Sequence, residues 1–256
     1  MAAAFLRNAG IFFTIPFTGG AFFREREIFF IMAQRVIAIG DIHGCLAAFD
    51  TVLDAIEPEF SDSLILLGDF VDRGPNSAGV IDRLIGLRER CFLYTIMGNH
   101  DELMLDVIEK STWKFGQWLM YGGEQTMRSY GTDKVSDIPK EHVAFLRNCV
   151  PFCETERHFF THANYLEGKS LAKTPGDALR WESLKARMPG PHNSGKMAVL
   201  GHTAQKDGKI LYSGYLLCLD TYCYGSGRLT AFEVNTGEYW QADRSGRLLK
   251  NKIFRP

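Results

Sequence analysis

From Val36 onward the chain alternates between short apolar runs and stretches where apolar residues recur every three or four positions. Val36-Ile37-Ala38-Ile39 precedes Leu46, Phe49, Leu53 and Ile56 at helical spacing. Leu64-Ile65-Leu66-Leu67 precedes a helical pattern through Val80, Leu84 and Leu87, and a strand follows over 92–97. Three successive strand–helix units predict parallel strands joined by helical crossovers. Residues 103–148 read as helical and carry Trp113, Phe115, Trp118 and Tyr121, with Pro139 opening the last helix. These aromatics read as core or as a lid rather than a base-stacking platform. Short β-prone runs then follow at 158–161, 197–200, 216–220, 228–234 and 238–241, separated by Gly-containing turns. Asn235-Thr236-Gly237 fits a hairpin between the last two. The pattern predicts one α/β domain with two packed sheets, the second supplied largely by the carboxyl half.

Residues 1–31 follow a different pattern. Their apolar stretch is interrupted by Pro16, Gly19 and Gly20 and followed by Arg24-Glu25-Arg26-Glu27, too short a run to span a membrane. Met32 opens Met-Ala-Gln-Arg directly before the first clean strand. The expected organisation is therefore an N-terminal extension over 1–31, with Met32 as the true start, and a catalytic domain over 32–256.

Of the 256 residues 46% are apolar and 23% charged, which excludes disordered, collagen-like and coiled-coil classes. Lys and Arg number 29 against 30 Asp and Glu, so no positive excess points to a nucleic-acid partner. Stable membrane association is not expected either. Cys45, Cys91, Cys149, Cys153, Cys218 and Cys223 show no paired metal-binding spacing. They read as reduced core thiols of a cytoplasmic protein.

The chemistry sits where strands end. Gly40-Asp41-Ile42-His43-Gly44, Gly68-Asp69-Phe70-Val71-Asp72-Arg73-Gly74 and Gly98-Asn99-His100-Asp101 each close one strand of the first half. The carboxyl ends of neighbouring parallel strands lie side by side, so these loops converge on one crevice. His162, His202 and Asp220 stand at later strand ends. Asp41, His43, Asp69, Asn99, His162 and His202 together make an oxygen and nitrogen donor set without thiolate. Such a set suits two divalent ions of the Mn or Fe kind, zinc also being compatible, with Asp69 placed to bridge them. A single Asp at a strand end is ordinarily a turn former, and it is the joint arrangement that departs from that. His142, His158 and His192, away from these signatures, read as structural or solvent-exposed.

These signatures, with Thr161-His162-Ala163, Gly201-His202-Thr203 and Leu219-Asp220-Thr221, resemble the metal-dependent serine/threonine phosphoprotein phosphatases, in particular their compact bacterial and bacteriophage branch. The resemblance extends over nearly all of 32–234. It implies the calcineurin-like metallophosphoesterase fold, two packed mixed β-sheets flanked by helices. It also implies one metal on Asp41, His43 and Asp69 and a second on Asp69, Asn99, His162 and His202. The implied reaction is hydrolysis of phosphoserine or phosphothreonine in a phosphoprotein or phosphopeptide, by direct attack of a hydroxide held between the ions. His100 is the implied general acid, Asp72 would accept its other ring N–H, and Arg73 would fork two phosphate oxygens.

One departure touches substrate binding. That branch carries a second phosphate arginine two positions after a tryptophan, whereas Trp181 here is followed by Glu182 and Ser183. Arg180 and Arg187 are the nearby candidates to replace it. Symmetrical diadenosine tetraphosphate hydrolases share the scaffold but usually carry alanine where this chain has Asp72. The good leaving group of that reaction needs less help from a supported acid, so Asp72 favours the protein phosphatase. A non-catalytic binding module is the remaining alternative, and the intact donor set speaks against it. Gly190-Pro191-His192-Asn193-Ser194-Gly195-Lys196 mimics a nucleotide-binding loop, but Met197 replaces the magnesium-binding hydroxyl and a strand is expected next.

Overall fold

The computed structural model describes residues 35–109 and 112–253, with side chains described from 113 onward in the second stretch and up to 249. The expected extension over 1–31 and the start at Met32 lie outside the described residues.

Strands β1 (Val36–Ile39), β2 (Ser63–Leu66) and β3 (Phe92–Thr95) pair in parallel, joined by helices α1 (Leu46–Ile56) and α2 (Ser77–Leu87) as the periodicity predicts. Helix α1 buries Phe49, Val52, Leu53 and Ile56 on one face and stops at Glu57, which adopts the left-handed conformation. Helix α2 begins at Asn76, whose side chain accepts the Gly79 N–H at 2.9 Å. Helix α3 (Asn99–Glu109) starts directly on the third signature. Short helices α4 (Phe115–Trp118) and α5 (Glu124–Tyr130) flank a π-turn over Leu119–Gly123, and α6 (Lys140–Arg147) follows Pro139.

The strand alternation decides which layer each residue joins. Ile37, Ile39, Leu64 and Leu66 face the helices, while Val36, Ala38, Ile65 and Leu67 face the second sheet. That second sheet runs β4 (Phe152–Glu154), β5 (His158–Thr161), β6 (Met197–Leu200), β8 (Leu216–Cys218), β7 (Leu211–Tyr212) in spatial order. It contributes Phe160, Val199 and Leu217 to the layer between the sheets. Its outer face packs Phe159, Ala198 and Leu200 on Tyr165, Leu171, Leu179 and Leu184, with helix α7 (Gly176–Arg180) alongside. Each fully buried Val, Leu, Ile or Phe among them contributes about 1.5–3 kcal/mol.

The carboxyl half supplies the second sheet, as the pattern predicts, and its last three strands return to the first. Strand β9 (Leu229–Glu233) pairs antiparallel with β1, and β10 (Glu238–Ala242) and β11 (Leu248–Ile253) extend the first sheet to six strands. The second sheet thus comes entirely from residues 152–218, within the carboxyl half. Strand β9 is buried on both faces, as a strand between two apolar layers must be. Its apolar run shows that burial but carries no mark of the neighbour it pairs with. The expected hairpin joins β9 and β10.

All six cysteines are buried and free. Among the described residues no helix is long and apolar enough to cross a membrane.

Candidate active site

Residues at the carboxyl ends of β1, β2, β3, β5, β6 and β8 come together, with all nine predicted site residues among them. Tight loops produce the convergence. His43, Asp69, Asp72, Arg73 and His202 adopt positive φ of 45°, 52°, 72°, 69° and 62°. A non-glycine residue in that region costs on the order of 1 kcal/mol or more, so neighbouring contacts must hold it. The Asp69 carbonyl accepts the N–H groups of Ile42 at 3.2 Å and His43 at 2.8 Å. The buried Asp101 carboxylate accepts the N–H groups of Asp69 at 2.8 Å, Phe70 at 3.0 Å and Gly98 at 3.1 Å. Asp72 N–H donates to Thr126 Oγ1 at 2.9 Å and Ser77 Oγ at 3.1 Å. Two signature glycines serve close approach: a Cβ on Gly98 would lie 2.2 Å from Asp69 Oδ1, and one on Gly201 would lie 2.2 Å from Asp41 Oδ1.

Three imidazoles are oriented by backbone carbonyls. His43 Nδ1 donates to Val71 O at 2.9 Å, His162 Nδ1 to Leu67 O at 2.7 Å, and His202 Nε2 to Trp181 O at 3.1 Å. Each ring therefore turns its other nitrogen inward. His43 Nε2 lies 3.4 Å from Asp69 Oδ2, and His162 Nε2 lies 3.4 Å from Asp69 Oδ1. Asn99 Oδ1 stands 3.0 Å from His162 Nε2 and 2.9 Å from His202 Nδ1. The backbone N–H of His202 donates to Asp41 Oδ1 and Oδ2 at 3.1 and 3.0 Å. Two groups of donor atoms that could hold an ion result, His43–Asp69–His100 and Asp69–His162–His202, each within 4.8 Å of one another, the first with His100 where the sequence pointed to Asp41. They share Asp69, one oxygen facing each side.

The electrostatics match the geometry. Burial alone would raise the Asp69 pKa, but His162, His100 and His43 outweigh it and hold the carboxyl well below the usual range. Burial would lower His162, yet Asp69 and Asp41 push it up to about 10. Burial, with Asp220 and Asp69 adding repulsion, raises Asp41 well above the ordinary carboxylate value. Asp220, buried near Asp69, rises to about 6. His202 falls to about 4 through burial and the positive charge of His162. Asp41 and Asp220, both raised, are short of positive charge, and divalent cations would supply it. The residues present fit two such ions, in donor type and in arrangement.

Beside this centre, His100 Nδ1 donates to Asp72 Oδ2 at 2.7 Å. Asp72 also accepts Trp118 Nε1–H at 3.0 and 3.1 Å and Thr126 Oγ1–H at 2.8 Å. Burial keeps its pKa raised despite these donors. Arg73 donates to His43 Nε2 at 2.9 Å. Sequence reasoning missed Trp118, Thr126 and Asp101 as parts of this arrangement. Asp101 stood inside the quoted signature, whereas nothing local to Trp118 or Thr126 announces their carboxylate partner.

The candidate arginines are both engaged elsewhere. Arg180 pairs with Glu102 at 2.7 Å, and Glu102 also accepts Trp181 Nε1–H at 2.7 Å. Arg187 is held by Glu182 at 2.7 Å and by Glu167 at 3.3 Å. His142 is buried between Tyr130 Oη and Asp82, each at 2.9 Å, and His192 between Ser194 Oγ at 2.7 Å and Lys169 O at 2.8 Å. His158 begins β5, buried and remote from the site. The 190–196 loop runs into strand β6, as expected of a segment that is not a nucleotide-binding loop.

Comparison with known proteins agrees with this picture. The sequence profile of the calcineurin-like phosphoesterases matches residues 34–225. The chain is 29% identical over 145 residues to serine/threonine-protein phosphatase 1 of Salmonella typhimurium, covering 52% of this chain and 60% of that enzyme. It is 45% identical over 75 residues to the symmetrical bis(5'-nucleosyl)-tetraphosphatase of Nitrosococcus oceani, covering 29% of this chain and 26% of that enzyme. The chain thus spans less than two thirds of the length of each of these relatives. The crystal structure of a candidate diadenosine tetraphosphatase superimposes with a TM-score of 0.60 at 22% identity, covering 85% of this chain and 92% of the other. That likeness speaks for the fold. The matched profile, the two mixed sheets and the site at their strand ends establish that this chain belongs to the calcineurin-like phosphoesterase family.

Proposed function

We propose that the protein is a metal-dependent phosphomonoesterase acting on phosphoserine or phosphothreonine in proteins or peptides. The observation that carries this reading is the His100–Asp72 pair at 2.7 Å. Asp72 is fully buried and holds three side-chain donors, so His100 is kept in one orientation. An alkoxide leaving group is a strong base and profits from a positioned proton donor, worth about 10²–10⁴-fold in rate. Arg73 would bind phosphoryl oxygens through its N–H edges and neutralise their charge.

Asp41, His43 and Asp69 would hold one ion, and Asp69, Asn99, His162 and His202 the other, with manganese the proposed metal. When bound, two such ions supply Lewis-acid charge and an activated water. The six buried free thiols support a reducing, cytoplasmic setting.

A second reading, symmetrical dinucleoside tetraphosphate hydrolysis, is favoured by the 45% identity to the Nitrosococcus enzyme. Turnover of a phosphothreonine peptide and of diadenosine tetraphosphate with Mn²⁺ separates the two. The proposal expects the peptide to be cleaved faster, and faster cleavage of the dinucleotide overturns it.

A further inference from the structure

We infer that Tyr224 is a positioning residue for Arg73: its ring is the shelf that holds the guanidinium by its face and leaves the N–H groups other than the one donated to His43 Nε2 open to phosphoryl oxygens. This rests on the proposed phosphate-binding role of Arg73.

Arg73 Cζ lies 4.4 Å from the centroid of the Tyr224 ring. That ring is itself wedged in place, edge-on to His43 at 4.7 Å and 81° and against Tyr222 at 4.8 Å and 73°. The backbone beneath Arg73 is pinned as well. Its N–H donates to Gly122 O at 3.1 Å, and Gly122 has a φ of 115°, where a Cβ would lie 2.6 Å from Arg73 N.

Arg180 and Arg187 show the usual alternative, an arginine clamped by carboxylates. Arg73 has no carboxylate ion pair among the described residues. A carboxylate clamp would occupy the edges that phosphate needs and would compete with it for the same charge. An aromatic face holds a guanidinium without using its donors, and it removes rotamer freedom before the substrate arrives. The edge-on pair Tyr222–Tyr224 lies in the loop that leads from β8 of the second sheet to β9 of the first, so the connection between the sheets sets an arginine carried by the first.

The test uses the manganese-loaded protein and a double-mutant cycle of Tyr224→Leu and Arg73→Ala. KM for p-nitrophenyl phosphate, inhibition by inorganic phosphate and metal content are measured together. Tyr224→Leu is expected to raise KM and the phosphate inhibition constant about tenfold, with metal content unchanged. Tyr224→Phe, which keeps the ring, is expected to restore both to within about twofold. In the Arg73→Ala background, Tyr224→Leu is expected to change neither by more than about twofold. Tyr224→Gln takes the place of the leucine variant if that one does not fold. Equal effects of Tyr224→Leu with and without Arg73 overturn the shelf, as does a loss of phosphate binding that merely follows a loss of metal. If Arg73→Ala itself leaves phosphate binding intact, the phosphate role of Arg73 fails and the shelf falls with it. If Arg73→Ala weakens binding and Tyr224→Leu does not, the shelf alone fails.

Discussion

Two histidines frame strand β5, His158 as its first residue and His162 directly after its last. Both are buried, yet they are pushed in opposite directions. Burial takes His158 down to about 4, with Arg157 adding repulsion and Glu233 only partly opposing it. Glu233 is already committed to the N–H of Val36 at 3.2 Å and to that of Thr236 at 2.6 Å. His162 goes up to about 10 because Asp69 stands 3.4 Å away and Asp41 adds to it. A buried imidazole is thus discharged by its surroundings unless anions converge on it. Anions converge at the carboxyl ends of the strands, whereas the loops that meet at the opposite end of β5 bring Arg157 and Lys196 to His158 along with the already committed Glu233.

Asp69→Asn breaks the contrast most completely. It removes the charge faced by both His43 and His162. Hydrolysis should fall by on the order of 10³-fold or more, with loss of bound metal by elemental analysis. In the metal-free variant His162 should titrate well below 10 by NMR, in the manner of His158. A variant that retained both metal and activity would show that Asp69 is no bridge.

His100→Asn leaves the two clusters' carboxylate in place and removes the proposed proton donor. Turnover of a phosphothreonine peptide should drop about 10²–10⁴-fold with metal content intact. The drop on p-nitrophenyl phosphate, whose leaving group is a weak base, should be far smaller. Equal losses on the two substrates contradict proton donation.

His158 sharpens the other arm. Its folded pKa of about 4 lies below the unfolded value near 6.5, so between these the unfolded chain binds the extra proton. The stability linked to this group is complete above pH 6.5 and is lost as pH falls towards 4. Its size is about 3 kcal/mol, read from urea unfolding at pH 7, 5 and 4. His158→Phe should flatten that part of the pH dependence, and an unchanged slope would assign the acid sensitivity to other groups. The smallest effect is expected at Arg187, whose charge is taken up by Glu182 and Glu167. Arg187→Ala should cost about 1 kcal/mol or less of stability and leave KM within about twofold.

How much of this was legible depended on whether a feature is local. Strand β1, helix α1 and strands β5 and β6 could be read from periodicity because each apolar face lies within a few residues. The donor set could be read because its members end strands, five of the six beside a glycine whose missing Cβ permits close approach. Strands β4, β7 and β11 were missed: they are short or charged and sit at sheet edges, where burial imposes little pattern. The placement of β9 next to β1 was missed because an apolar strand does not name its neighbour.

By itself the amino-acid sequence determined the parallel βαβ core, the oxygen and nitrogen chemistry of the donors and their delivery to strand ends. These follow from period, turn sterics and side-chain type, all properties of a short stretch of chain. Only the tertiary structure decided that Trp118 and Thr126 anchor Asp72, that Asp101 ties three loop amides, and that Arg180 and Arg187 are consumed by carboxylates. Those contacts join residues on separate elements, and their distances depend on how helices and sheets pack, which no local pattern encodes.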